Sequence, residues 1–129
     1  IQAKPDDALA HTYLAEILFE LGEHENSLKE FREALAYGDE IYFVHAKYAE
    51  TLHYLGKFDL AAEEYEKCLQ LRPLDDAVLF NLGLTYEKMG QMDKAKETYL
   101  RIIKSADQFP KTTVDAARNQ LRALGVENP

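Results

Sequence analysis

The sequence predicts an all-α protein, a solenoid of antiparallel helix pairs built on a repeat of 34 residues. The first observation is the spacing of three glycines that end apolar stretches: Gly22, Gly56 and Gly90 follow one another at intervals of 34 residues. The second is that other positions share this period, and a fixed period of this length is typical of repeat architectures. The aligned triplets are Leu14, Tyr48 and Leu82; Ala15, Ala49 and Gly83; Leu18, Leu52 and Tyr86; Ser27, Ala61 and Ala95; Phe31, Tyr65 and Tyr99; and Ala34, Cys68 and Ile102.

Each repeat is predicted to be a helix, a tight turn and a second helix. Apolar residues recur at steps of three and four, the helical period. In the first repeat these residues form two stripes: Leu14, Ile17, Leu18 and Leu21, then Leu28, Phe31, Ala34 and Leu35. The glycine after the first stripe provides the left-handed conformation that ends a helix. Asp7, Asp39 and Asp75 are predicted N-caps, and Gly38 is predicted to end the helix before Asp39.

The triplets of small residues predict where the two helices of a repeat cross. Ala15, Ala49 and Gly83 on the first helices would face Ser27, Ala61 and Ala95 on the second helices. Small side chains allow two backbones to approach closely, so a larger residue at these positions would force the pair apart.

The repeats divide the chain, taken as one domain over residues 1–129, into consecutive segments. Residues 1–7 are interpreted as the tail of an upstream repeat, because Pro5 lies 68 residues, two periods, before Pro73. The full repeats are 8–41, 42–75 and 76–109, and a capping helix is expected in 110–125. The chain is therefore expected to be part of a longer protein. The cap has an apolar side and a polar outer side, as the end of a solenoid requires; its apolar side comprises Val114, Ala117, Leu121 and Leu124.

The charge and the cysteine content limit the classes of partner. The net charge is −8, whereas nucleic-acid binding needs clustered Lys and Arg, so neither nucleic acid nor an anionic membrane is an expected partner. No apolar run approaches the roughly 18 residues of a membrane span. A lone cysteine, Cys68, excludes an intrachain disulfide and leaves the compartment undetermined. The cytoplasm is slightly favoured, with the bacterial periplasm as the alternative.

The pattern of histidines and carboxylates indicates neither an enzyme nor a metal or cofactor site. No two histidines are spaced four residues apart as in the zinc proteases, and the spacing of His11 and His45 by one period indicates packed rings. No Ser, Cys or carboxylate lies beside a histidine in a way that repeats, so no histidine–carboxylate pair is expected. Packing is also expected for His24, whereas His53 is expected on the concave side. Cys68 is interpreted as a core thiol, and the carboxylates of Asp39-Glu40 and Glu63-Glu64 as solvated helix faces. No catalytic, metal or cofactor residue is therefore predicted.

The repeated columns resemble the tetratricopeptide repeat family. Its pattern is carried by His11-Leu14-Ala15-Leu18, His45-Tyr48-Ala49-Leu52 and Leu79-Leu82-Gly83-Tyr86, of which the third copy is the most similar. The chain departs from the pattern in having no Trp, and only Pro5 and Pro73 provide the closing proline. The resemblance covers residues 1 to 109. It implies a right-handed α-solenoid of three repeats plus the capping helix, with a concave groove that receives a peptide or protein segment.

The resemblance places the groove on the first helices of successive repeats. The groove-facing positions are Leu9, Thr12, Glu16 and Phe19 in the first repeat, Phe43, Ala46, Glu50 and His53 in the second, and Ala77, Phe80, Leu84 and Glu87 in the third. Because carboxylates and phenylalanines are interspersed, the expected ligand has apolar side chains flanked by Lys or Arg. The alternative is that these glutamates are merely solvated and the partner binds elsewhere.

Two further interpretations concern the type of partner. Co-chaperones of this family hold the acidic C-terminus of heat-shock chaperones with Lys, Asn and Arg side chains. The matching positions here are Thr12, Glu16, Lys47, Ala77 and Asn81, and Glu16 would repel a carboxylate, so this ligand is not expected. The alternative function is a structural module that self-associates through an exposed N-terminal edge.

Overall fold

The regular structure of the described residues is helical. The computed structural model describes residues 5–37 and 41–129, and side chains from residue 7 onward. The helices are α1 (Pro5–Glu20), α2 (His24–Leu35), α3 (Tyr42–Tyr54), α4 (Phe58–Leu71), α5 (Asp76–Lys88), α6 (Met92–Lys104) and α7 (Lys111–Ala123), with a 3-10 turn at Ala106–Gln108. Helices α1 and α2, α3 and α4, and α5 and α6 pack as antiparallel pairs, and α7 packs on α6. The all-α solenoid that the sequence predicts is confirmed.

The predicted glycine turns adopt one conformation, repeated after the first helix of each pair. Gly22, Gly56 and Gly90 have φ values of 81°, 78° and 77°, which glycine adopts without steric cost. Two hydrogen bonds close the first turn: Gly22 N–H donates to Phe19 C=O at 3.0 Å, and Glu23 N–H donates to Leu18 C=O at 2.9 Å. This bond pattern is the Schellman motif, which satisfies the last carbonyls of a helix. Because each pair has the same turn, each pair has the same reversal of direction.

The helix crossings occur at the predicted small residues. Ala15, Ala49, Ala61 and Ala95 are fully buried. Ser27 is also fully buried, and its hydroxyl donates to the Ala15 carbonyl at 2.7 Å, so α2 touches the α1 backbone directly.

The third repeat has the tightest crossing, where α5 meets an aromatic ring on α6. A Cβ atom on Gly83 would lie only 2.4 Å from Cε1 of the fully buried Tyr99. The absence of a side chain at Gly83 therefore makes room for the Tyr99 ring, which explains why this repeat has glycine where the other two have alanine.

The two ends of the stack differ in polarity. At the C-terminal end, Val114, Ala117 and Leu121 of α7 are buried, while Lys111 and Arg122 are exposed, as predicted for a cap. At the other end, Leu14, Ile17 and Leu21 of α1 are 43%, 56% and 68% exposed.

The exposure of the α1 stripe follows from the position of α1 at the end of the stack. One period later, Tyr48 and Thr51 of α3 are buried and Leu55 is half-buried, because the first pair covers them. Among the described residues no pair precedes α1, so its equivalent stripe faces solvent.

The predicted N-caps have different outcomes. Asp75 is the N-cap of α5, where its carboxylate accepts a hydrogen bond from the Val78 amide at 3.1 Å. Asp7 is not a cap, because α1 begins two residues earlier, at Pro5. Asp39 and Gly38 lie outside the described residues.

Within the described residues, no helix combines the length and the apolar character that crossing a membrane requires.

Candidate peptide-binding groove

Three cavities follow one another along the side of the stack formed by α1, α3, α5 and α7. The first cavity has a volume of about 590 Å³, the second about 350 Å³ and the third about 320 Å³. Glu50 and Tyr54 line both the first and the second, and Asn81 lines both the second and the third. The cavities are therefore continuous, and together they are called the groove below.

The first cavity lies between α1 and α3 and combines aromatic and charged side chains. Its lining residues are Glu16, Phe19, Glu20, Lys47, Glu50, Thr51 and Tyr54. The rings of Phe19 and Tyr54 lie 6.4 Å apart, and Tyr54 is 68% exposed. Lys47 Nζ lies 3.4 Å from a Glu16 carboxylate oxygen. Both of these side chains are half-exposed, so the pair contributes little stability, but it reduces the negative charge of Glu16.

The second cavity lies between α3 and α5 and has Glu50 at its boundary with the first. The other lining residues are His53, Tyr54, Tyr65, Asn81 and Leu84. Burial raises the pKa of the Tyr65 hydroxyl, and the nearby negative charge of Glu50 raises it further. Tyr65 therefore remains a neutral phenol that can donate or accept a hydrogen bond.

His53 has a defined proton arrangement in this cavity. The Thr85 hydroxyl donates its single hydrogen to the Asn81 carbonyl at 2.8 Å. In the tautomer that lets the Thr85 hydroxyl keep this bond, His53 Nδ1, which lies 2.8 Å from the same Thr85 oxygen, carries the hydrogen and donates it. Burial lowers the pKa of His53, and the positive charge of Lys88 lowers it further. The neutral ring thus has an unprotonated Nε2, which is a hydrogen-bond acceptor.

The third cavity shows that α7 takes the place of the first helix of a fourth repeat. Its lining residues are Asp76, Ala77, Phe80, Asn81, Thr112, Thr113 and Ala116. The Thr113 hydroxyl donates to the Asp76 carboxylate at 2.7 Å and connects α7 to α5. The Phe80 ring packs on Tyr99 with ring centroids 5.7 Å apart, which fixes its orientation.

Seven of the twelve predicted groove residues line the cavities. They are Glu16, Phe19, Glu50, His53, Ala77, Phe80 and Leu84. The structure brings these residues onto one side of the molecule because successive first helices stack with their corresponding faces aligned.

The other five predicted residues do not line these cavities. Thr12 is fully buried and donates its hydroxyl hydrogen to the Ala8 carbonyl, so it cannot reach a ligand. Glu87 accepts hydrogen bonds from the Tyr99 hydroxyl and from Gln120, at 3.1 Å for the latter, and is therefore directed at α6 and α7. Phe43 packs near Tyr13, with Lys47 over its ring. Leu9 and Ala46 are half-buried outside the cavities.

The prediction from the sequence omitted several lining residues. Tyr54 is the exposed aromatic residue among them, at 68%. In the sequence, its signal was an aromatic side chain in a column otherwise occupied by Glu20 and Lys88. Thr112, Thr113 and Ala116 were omitted because α7 was treated only as a cap.

Two histidine–carboxylate pairs recur with the period of the repeat and correct the expectation that no such pair exists. His11 Nδ1 lies 2.6 Å from Glu30, and His45 Nδ1 lies 2.7 Å from Glu64. Each pair joins the two helices of one repeat. His45 and Glu64 are buried and line none of the cavities, so the expectation that Glu64 is solvated is also wrong. A packed His45 is as predicted, whereas His24 is exposed.

The remaining candidate for chemistry is Cys68, which is fully buried as predicted. Burial, together with the negative charges of Glu64 and Asp75, raises the pKa of its thiol to about 12, so the thiolate is disfavoured. Among the described residues, no group of His, Cys, Asp and Glu side chains is arranged to hold a metal ion.

The stacked helix pairs and the continuous groove define a class of protein, the helical repeat proteins. Three family models match the chain, described as "TPR repeat" over residues 49–90 and "Tetratricopeptide repeat" over residues 77–109 and 1–40. The chain belongs to the tetratricopeptide repeat family.

A curated relative covers only part of the chain. The uncharacterized protein ycf37 of Guillardia theta is 41% identical over 54 residues, which is 42% of this chain and 30% of that protein. The match thus spans less than a third of that relative.

Solved structures share the fold at low sequence identity. The first TPR domain of Spaghetti, bound to the HSP90 peptide SRMEEVD, has a TM-score of 0.77 at 17% identity and covers 96% of this chain and 94% of that one. The N-terminal domain of stress-induced protein-1 from C. elegans has a TM-score of 0.77 at 13% identity, with 89% and 94% covered. The type III secretion translocator chaperone SycD of Yersinia enterocolitica has a TM-score of 0.76 at 16% identity, with 93% and 91% covered.

Proposed function

We propose that this chain is a non-enzymatic protein-interaction scaffold whose groove binds an extended peptide or protein segment with apolar and basic side chains. The observation that carries the proposal is the lining of the three cavities. Aromatic rings from Phe19, Tyr54 and Phe80 alternate there with the carboxylates of Glu16, Glu20, Glu50 and Asp76, and Lys47 is the one lysine among the lining residues.

The fold of the Spaghetti domain supports the groove as a peptide site, because that domain is bound to a peptide. The peptide there ends in EEVD and is acidic, whereas the groove of this chain is itself acidic. Like charges placed together at an interface cost several kcal/mol. A ligand of opposite charge is therefore expected, and the acidic tail of a chaperone is not.

The proposal is tested with three end-capped nine-residue peptides: one apolar and basic, one apolar and acidic, and one polar and neutral. Titration calorimetry is expected to give a dissociation constant of about 1 μM, or −8 kcal/mol, for the basic peptide and no measurable binding for the others. Glu16→Lys and Glu50→Lys together should slow association and weaken binding, because charges of the same sign as the peptide then repel it.

The matched control is Glu33→Lys, which changes the charge of an exposed residue on α2, outside the groove. Equal affinities of the parent and the doubly reversed chain for the basic peptide would contradict the acidic groove. Binding of none of the three peptides would contradict the groove as a peptide site.

The alternative function, self-association through the N-terminal edge, is favoured by one observation. Leu14, Ile17 and Leu21 form an exposed apolar stripe along α1, and such patches are common at interfaces. Light scattering over a concentration series would then show dimers that Ile17→Glu dissociates, with Leu74→Glu, at a similarly exposed residue, as the control. A mass equal to that of a monomer at the highest concentration would contradict this function.

A further inference from the structure

Glu50 is the one carboxylate that lines the second cavity, and it differs from Glu16, Asp76 and Glu87 in having no bonding partner among the described residues. Glu20 also lacks a partner there, but it is exposed and lines only the first cavity. Glu16 is paired with Lys47, Asp76 accepts from Thr113, and Glu87 accepts from Tyr99 and Gln120. Within the part of the chain that the structure describes, the half-buried Glu50 has neither a hydrogen bond nor an ion pair, although it lies where two cavities meet. A carboxylate accepts up to about four hydrogen bonds, so the unused capacity of Glu50 is directed at the groove.

The second cavity adds another acceptor and two kinds of apolar surface around Glu50. Nε2 of the neutral His53 is an acceptor, since Nδ1 carries the hydrogen that is donated to Thr85. The Tyr54 ring is well exposed, and Leu84 provides an aliphatic surface. The volume of about 350 Å³ lies within the roughly 300–1,000 Å³ of ligand sites. The cavity therefore suits a group that donates several hydrogen bonds, is positively charged and stacks on a ring.

We infer that this cavity is a subsite for one arginine side chain of the bound segment, with the guanidinium paired to Glu50. The inference rests on the proposed groove function and specifies its central contact. A guanidinium has five donors in a planar array, pairs with a carboxylate through two bonds, and stacks on aromatic faces. A lysine ammonium is a compact, strongly hydrated charge. It would therefore stack less well on the Tyr54 ring and would bond less well to the Glu50 carboxylate and His53 Nε2 together.

The neighbouring cavities determine the surroundings of this arginine in the ligand. The first cavity has Phe19 and the third has Phe80, so apolar side chains are expected on both sides of the arginine. Because Glu50 is the one carboxylate that lines the second cavity, we expect one cation in the ligand at this position.

The test uses four end-capped nine-residue peptides with leucines on both sides of a central residue, which is Arg, Lys, citrulline or Glu. Citrulline has nearly the shape of arginine without its charge. We expect the Arg peptide to bind the full chain at least about tenfold more tightly than the citrulline and Lys peptides, and the Glu peptide most weakly. This preference should disappear in Glu50→Gln, since a neutral amide cannot form the charged pair.

Glu33→Gln is the matched control, because Glu33 is exposed on α2 outside the groove, and the variant should keep the preference for Arg. Thermal melts of both variants check that each is folded. A double-mutant cycle between Glu50 and the central residue isolates their coupling.

Equal binding of the Arg and citrulline peptides, equal binding of the Arg and Lys peptides, or an unchanged preference in Glu50→Gln would overturn the arginine subsite and leave the proposed function intact. Failure of every peptide to bind the parent chain would overturn both.

Discussion

At the scale of single residues, the surroundings of a repeat position determine its role more than the residue type does. Glu16 and Glu50 occupy the same column, yet Glu16 is paired with Lys47 and Glu50 has no such partner among the described residues. The third member of the column is Leu84, which provides an apolar wall of the second cavity. One column thus provides a paired charge, an unpaired charge and an aliphatic surface.

His53 gives a prediction at this scale, since burial and Lys88 both lower its pKa. The unfolded chain, with a histidine pKa of about 6.5, binds more protons than the folded chain as the pH falls below that value. The stability that the neutral ring contributes should therefore be present above about pH 6.5 and be lost as the pH falls toward the lower folded pKa.

The measurement for His53 is an NMR titration of its ring, with an expected midpoint below about 6.5. Lys88→Gln should raise this midpoint, because it removes the positive charge that disfavours protonation. A titration midpoint above about 6.5 in the parent chain would contradict the lowering of the His53 pKa by burial and by Lys88.

At the scale of helices and turns, the geometry of each helix pair is determined by residues that lie close together in the sequence. A glycine at positive φ reverses the chain, and small residues allow the two helices to cross closely. The buried His45–Glu64 pair adds a polar contact between α3 and α4. Breaking a buried pair by removing one partner is costly, since the other group is left uncompensated.

The helix crossing gives a prediction at this scale: Ala49→Leu should destabilise the chain by about 1–3 kcal/mol through overpacking. Ala49 has no exposed surface, so a larger side chain must displace either helix. Chemical denaturation of the variant measures the effect. The control is Ala123→Leu at an exposed position of α7. An equally small change in the free energy of unfolding of both variants would contradict the close helix crossing at Ala49.

At the scale of the whole molecule, position in the stack determines burial. Leu14 and Leu82 are equivalent residues two periods apart, yet Leu14 is 43% exposed and Leu82 is fully buried. The difference arises because a preceding pair covers α5, whereas none among the described residues covers α1.

This difference leads to a prediction for two identical substitutions. Leu82→Ala should cost about 2–5 kcal/mol, because it leaves a cavity in the core. Leu14→Ala should cost less than about 1 kcal/mol, as expected for a side chain that stays largely in water. Denaturant midpoints of the two variants measure both values, and equal losses would contradict the difference in burial.

The sequence predicts those features of the fold that depend on neighbouring residues along the chain. The helix pairs, the glycine turns, the small residues at the crossings and the α7 cap depend on local periodicity, which is directly readable. The N-cap assigned to Asp7 was wrong, because α1 extends further toward the N-terminus. The interpretation of Glu64 was wrong because its partner, His45, lies 19 residues away on another helix.

The groove was predictable in its location and less so in its individual residues. Column offsets identify the helix face, but they do not show that Thr12 bonds to its own helix or that Glu87 bonds to α6 and α7. Tyr54 and the α7 residues are part of the lining because of how consecutive helices pack, and that packing leaves no local pattern in the sequence.

The contrast between the two ends of the stack bears on how such a chain can lengthen in evolution. A duplicated 34-residue unit inserted between two existing pairs would meet an apolar face on each side and preserve every crossing. A unit added behind α7 would instead bury charged side chains such as Lys111 and Arg122, which are exposed on its outer face. Tandem duplication is therefore favoured between existing pairs and opposed against the outer face of α7, where it would take charged side chains out of water.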